Sequence, residues 1–231
     1  MLTESEERLA DKLWEIGSIQ FNFVDRYRLK MHDTHSERPW SPVYINLRTN
    51  QHPVPEKRGP LDDETLNMIG NEFALLLDNL HWNFELFADI PDAGTPFGDL
   101  IAEQLHWQGD DFRLHLIKTT NPDGTRFISG LKENLWQPNQ SVLLVDDLLT
   151  GADTKLEAAN VLKRAGFAVW HVMVLIDRCQ GGVKQLHNAG LDVSAVMTLP
   201  DMLEYYVRTG KITALQELDV LDYLVLSATW E

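Results

Sequence analysis

The sequence predicts an α/β protein built on a central, mainly parallel sheet flanked by helices, and three stretches carry that expectation. SVLLV from Ser141, the amphipathic run TKLEAANVLKRAG and the apolar FAVWHVMVLI read as strand, helix and strand. Such a βαβ unit has a right-handed connection and parallel strands. FELFADI, PDAGTP and FGDLIAEQL read as a strand, a turn-rich loop and a helix, which puts the loop at the strand's carboxyl end. In open sheets of this kind ligands collect outside the carboxyl ends of the strands, the end that would hold Asp146, Asp147 and the PDAGTP loop.

The other elements follow in order. Thr3-x-x-Glu6 is a capping box, and Leu9, Leu13 and Ile16 recur at helical spacing before Gly17, so a helix is expected over about residues 4 to 16. An irregular stretch, FNFVDRYRLKMHDTHSERPW, leads to SPVYINLR, whose alternation suits a half-buried strand. DETLNMIGNEFALLLDNL carries one apolar stripe, Leu66, Ile69, Phe73, Leu76 and Leu77, and reads as helix. FRLHLIK reads as a strand, followed by the turn signal NPDG in a polar stretch that ends at Gly130. The helix after SVLLV presents Ala158, Val161, Leu162 and Ala165 and stops at Gly166.

A length of 231 residues favours a single domain spanning 1–231. Hydrophobic content of 44% with 24% charged residues is that of a globular protein, and no apolar run approaches the roughly 20 residues of a membrane helix. An acidic start, MLTESEERL, and the single Cys179 point to the cytoplasm. Twenty Lys and Arg against 35 Asp and Glu give a net charge of -15, which argues against nucleic acid and anionic membranes as partners. Anionic metabolites are still open to such a chain where oriented backbone amides and a divalent cation reverse the field locally.

SVLLVDDLLTGADT, residues 141 to 154, is the most informative stretch. Two carboxylates at a strand tip can hold a divalent metal, accept hydrogen bonds from a sugar diol, or serve as acid and base. Neighbours on a strand point to opposite faces, so a joint clamp requires the backbone to turn there. The loop leads into a helix whose first amides are free for an anion, and acids followed by an anion cradle suggest a phosphorylated sugar. The plainer alternative makes Asp147 and Asp153 loop and cap residues without a ligand. There is no G-x-x-x-x-G-K-[ST], no G-x-G-x-x-G after a strand and no G-x-S-x-G.

VLLVDDLLTGADTKLEAANVLKRAG resembles the 5-phosphoribosyl 1-diphosphate (PRPP) motif of type I phosphoribosyltransferases. VLIDRCQGG and LHNAGLDVSAVMTLPDMLEYYVRTGKI, with Leu29-Lys30, SPVYINLR, ADIPDAGTPFG and GTRFISG in the same order before them, are similar to orotate phosphoribosyltransferase. The resemblance covers roughly residues 10 to 213. It implies a type I phosphoribosyltransferase-like fold, with an N-terminal helix and small hood over about 1–48 and a PRPP-binding core over about 61–213. It also implies a homodimer that uses Mg2+, PRPP and orotate and makes orotidine 5'-monophosphate and diphosphate in pyrimidine biosynthesis.

Carried over, Asp146 and Asp147 hold the ribose hydroxyls, and Thr150, Gly151, Ala152, Asp153 and Thr154 wrap the 5'-phosphate. Asp92, Ala93, Gly94 and Thr95 meet the diphosphate, Arg178 pairs with the orotate carboxylate, and Lys30 and Tyr44 contact base and ribose. No protein metal site is implied. The family's mobile loop, supplied across a dimer interface, has a pattern like R-K-x-x-K-x-H/Y-G-T. Here the aligned residues run from Ile117 through Lys118, Asn121 and Asp123 to Thr125, so Lys118 is the one basic residue kept. Asp89 and Asp92 stand where the family has neutral or small residues. Asp153 stands where it has Gly, Ser or Thr, and it either caps the following helix or faces the phosphate.

These departures leave a second expectation beside the enzyme: a catalytically impaired PRPP- or nucleotide-binding homologue acting as sensor or partner, or a phosphoribosyltransferase for another base. Two further groups carry no site. His32-x-x-His35 with Asp33 reads as a solvated loop, and Cys179, with no nearby His in sequence, as a bystander.

Overall fold

Six strands form the central sheet of this computed structural model, which describes residues 1–33, 35–106, 112–132 and 136–230, with the backbone alone for Lys30 and Met31. They are β3 (Leu86–Asp89), β4 (Arg113–Thr120), β5 (Arg126–Leu131), β6 (Ser141–Leu149), β7 (Ala168–Asp177) and β8 (Asp192–Thr198), in the spatial order β5-β4-β3-β6-β7-β8. Every neighbouring pair is parallel except the β4–β5 hairpin at one edge. The sheet is thus the mainly parallel one expected. Central strands β6 and β7 are buried on both faces, which is why they read as nearly continuous apolar runs.

Two cores sandwich the sheet. Leu144 and Val174 pack with Leu162 of α4 (Asp153–Arg164) and Leu186 of α5 (Gly182–Asn188). Leu143 and Met173 face the other side, against α1 (Glu4–Glu15), α2 (Asp63–Leu80), α3 (Thr95–Gln104), α6 (Leu199–Arg208) and α7 (Ala214–Ser227). No helix among the described residues is long and apolar enough to cross a membrane.

Local signals account for several boundaries. The Thr3 and Glu6 side chains close the capping box of α1 reciprocally, and Asp62 caps α2 by accepting from the Thr65 amide. Ile69, Phe73 and Leu77 are buried as the α2 stripe requires. A separate two-stranded antiparallel sheet, β1 (Ile19–Phe21) with β2 (Val43–Ile45), forms in the N-terminal segment, so SPVYINLR contributes three strand residues rather than a full strand.

Two other expectations change. His32 is not solvated: it is 1% exposed, its Nδ1 accepts from the Leu29 amide, and its Nε2 donates to the Pro39 carbonyl at 3.1 Å, so it fastens the irregular segment to itself. The polar stretch after NPDG contains β5, an edge strand whose outward residues lack the apolar alternation of an interior strand.

Candidate active site

β6 carries the two acids inside the strand, before its end at Leu149. Asp146 is buried and lies 2.6 Å from the Nζ of Lys155, which also donates to the Leu148 carbonyl at 2.5 Å. Lys155 was not among the expected site residues. Its signal is its place on the buried stripe of α4 with Ala158 and Leu162, where a lysine needs a partner.

The Asp147 carboxyl meets that of Asp146, and burial followed by the charge of Asp146 raises it above the usual carboxylate range. Simple alternation would separate the pair. Leu148, however, packs in the core of Leu143 and Val145 and not in that of Val142 and Leu144, so the alternation slips at this point.

The following loop is tied to the segment after β7. The Arg178 amide donates to Leu149 O (2.9 Å), the Gly182 amide to Thr150 O (3.1 Å), and the Ala152 amide to Gln185 Oε1 (2.7 Å). Any Cβ at Gly182 would stand 2.7 Å from Thr150 O, which explains the glycine. Ala152 therefore spends its amide on Gln185, leaving the first-turn amides of α4 to meet an anion. Asp153 does not cap this helix. The cap position is Ala152, without a side-chain cap bond, and Asp153 is an exposed first-turn residue favoured by the helix dipole. Thr150 and Thr154 are half-buried beside the exposed Gly151.

The two acids of the 89–95 loop have different surroundings. Asp89 is buried, accepting from Arg113 Nε at 2.6 Å and from Thr95 Oγ1 at 2.8 Å, so both its charge and the Thr95 hydroxyl are committed internally. Asp92 lies 3.3 Å from Lys57 and 4.0 Å from Arg126. Burial alone would raise its carboxyl, but the Lys57 ammonium, with Lys118 and Arg126, holds it below the usual range. Gly94 is needed for close approach, since a Cβ there would be 2.8 Å from Ile90 O and 3.0 Å from Val145 O. Beside this loop is a cavity of about 290 Å³, lined among others by Arg48, Lys57, Asp92, Ala93, Lys118 and Arg126.

Lys118 enters the cavity from β4, donating to the Pro91 carbonyl, and burial lowers its ammonium below the usual lysine range. Ile117 lies exposed at the irregular register between β4 and β5. Beyond it the chain closes a tight hairpin. Thr125 donates its amide (2.9 Å) and hydroxyl (2.7 Å) to Asp123 Oδ1, and Asn121 Nδ2 donates to Thr125 Oγ1 (2.9 Å). The residues that replace the expected cations thus staple the turn.

At the other end, Arg178 is 4% exposed and has no ion-pair partner among the described residues. Its Nη2 donates to Ser41 Oγ at 3.4 Å, its Nε has no hydrogen bond, and burial pulls the guanidinium down to about 10. Tyr44 projects from β2 against Tyr27, ring centroids 5.6 Å apart. The Lys30 side chain lies outside the described residues. Among those described, no group of three or more His, Cys, Asp or Glu could hold a metal ion. Burial and then Asp177 push the Cys179 thiol up to about 12, which makes it a poor nucleophile.

No family model matches the chain. Over 209 residues it is 26% identical to uridine 5'-monophosphate synthase of Bos taurus, covering 89% of this chain and 38% of that protein. It is 22% identical to an orotate phosphoribosyltransferase of Caenorhabditis elegans, covering 80% of this chain and 74% of that one. Among solved structures, UMP synthase of Leishmania donovani superposes with a TM-score of 0.70 at 25% identity, covering 96% of this chain and 42% of that one. The chain thus spans under half the length of the synthases it matches. Its fold is that of the type I phosphoribosyltransferases, and the proteins it is similar to in sequence are orotate phosphoribosyltransferases and UMP synthases.

Proposed function

We propose that the protein is an orotate phosphoribosyltransferase-type enzyme of the cytoplasm, one domain over residues 1–231 acting as a homodimer. It transfers ribose 5-phosphate from PRPP to orotate, giving orotidine 5'-monophosphate and diphosphate. The observation that carries the choice of an acidic base is Arg178, a buried guanidinium with an unbonded Nε at the ligand end of the sheet. A buried cation left without a counter-charge is costly, and a planar carboxylate fits a guanidinium in two-point fashion. The bond to diphosphate breaks at the anomeric carbon, its electron pair leaves with the diphosphate, and a ring nitrogen of orotate forms the new bond as its proton passes to the diphosphate or to solvent.

In this reading Asp146 and Asp147 accept hydrogen bonds from the ribose hydroxyls, the 150–154 loop receives the 5'-phosphate, and Ala93, Gly94 and Lys118 border the diphosphate. Lys30 and Tyr44 close over base and ribose from the hood. Mg2+ fits this arrangement as a cation held mainly by substrate oxygens with one carboxylate, Asp147 being the candidate, since no larger acidic group is present among the described residues. When bound it offsets charge on the diphosphate.

A second reading, a PRPP binder with little turnover, draws support from Lys155, whose ammonium engages Asp146 where a ribose hydroxyl would. Mixing protein, Mg2+, PRPP and orotate while following orotate absorbance, with calorimetry for each ligand, separates the two. Turnover supports the enzyme, and binding without turnover supports the binder. Absence of PRPP binding sinks both.

A further inference from the structure

The cavity beside the 91–96 loop collects positive charge in a chain whose net charge is -15. Arg48, Lys57, Lys118 and Arg126 line it with His52, against the carboxylate of Asp92, the one acid among the described lining residues. The segment bearing Arg48 and Lys57 is pinned: the Gly59 amide donates to Thr49 O at 2.9 Å and the Leu61 amide to Arg48 O at 3.1 Å. A Cβ at Gly59 would stand 2.3 Å from Arg48 O, so the chain closes tightly there. Arg126 begins β5, directly after the stapled turn. These cations are therefore carried by ordered backbone, and Asp92 occupies Lys57 and Arg126 much as an anion would.

We infer that Lys57 and Arg126 bind the diphosphate from within the same chain, with Asp92 an internal carboxylate that holds their charge until diphosphate displaces it. The assignment rests on the PRPP reaction proposed above. As the anomeric carbon–oxygen bond breaks, negative charge grows on the diphosphate, and fixed cations aimed at that position stabilise it most. The hairpin tip, with Asn121 and Asp123 turned into its own hydrogen bonds, offers none. Lys57 and Arg126 stand at the diphosphate loop instead, and Asp92, whose side chain is 52% exposed, has room to leave them.

Calorimetry with inorganic diphosphate plus Mg2+, ribose 5-phosphate and PRPP tests the assignment on the full chain. Lys57→Ala and Arg126→Ala, both at partly exposed positions, should each weaken diphosphate binding roughly tenfold or more, the scale for a lost charged hydrogen bond. Ribose 5-phosphate binding should be unchanged in both. Asp92→Asn should tighten diphosphate binding, and weakening instead overturns the displaced-carboxylate role. If PRPP binds but neither alanine variant alters diphosphate affinity, the assignment falls while the proposed reaction stands. A wild-type chain that binds neither PRPP nor ribose 5-phosphate overturns the reaction and the assignment together.

Discussion

Lys155 sets its ammonium 2.6 Å from the Asp146 carboxylate, and both side chains are at most 7% exposed. An ion pair this deep is held by mutual dependence, since either charge alone would be buried without a partner. Lys155→Met should therefore destabilise the chain by about 3–5 kcal/mol in urea unfolding. The double variant Asp146→Leu with Lys155→Met should recover most of the loss, and a strictly additive double variant would rule out the coupling.

Asp147 makes stability depend on pH. Its carboxyl titrates near 3.9 in an unfolded chain and higher in the fold, so the folded state binds more protons between those values. Stability from this group is fullest below the unfolded value and declines as pH rises through the folded one. Asp147→Asn should abolish that decline, making the variant more stable than wild type at about pH 8 but little different at the acidic end. Its PRPP affinity should fall in calorimetry, and unaltered affinity would remove Asp147 from the ribose site.

Arg178 offers the same exchange of stability against binding. Replacing it by Met removes a buried Nε without a partner, so the free protein should gain about 1–3 kcal/mol in chemical denaturation. Orotate affinity should be lost, and PRPP affinity largely kept. Orotate binding that survives the substitution would place its carboxylate elsewhere.

Asn121→Lys returns a cation to the expected loop position at the expense of the Thr125 bond. Loss of that bond in an exposed turn should cost about 0.5–1.5 kcal/mol. Turnover should not rise, because cations already line the cavity. A kcat increase approaching the roughly hundredfold value of an added transition-state donor would show that the hairpin tip still reaches the reaction.

How much of this was legible depended on range in sequence. The Thr3–Glu6 capping box, the α2 stripe and the strands around Asp146 and Asp147 depend on neighbours within a few positions, and they form as expected. Motif order placed both candidate ligand loops directly after β3 and β6, where the fold has them. The pairing of Asp92 with Lys57, 35 positions apart, follows only from the folded path of the 48–61 segment. The Lys155 partnership needed the α4 stripe to be seen facing the tip of β6, and β5 was hidden because an edge strand need not alternate. His32 looked solvated among polar neighbours, yet its ring bonds are to the backbone of its own segment, which no side-chain pattern discloses.

The three bonds joining residues 149–152 to residues 178–185 tie the loop proposed to receive the 5'-phosphate to the backbone that carries Arg178. On the proposed assignment the protein acts as a ruler: the span from 5'-phosphate to base carboxylate is set by these bonds before any ligand arrives. Compounds matching each end separately, but joined at another length, would forfeit one end or the other.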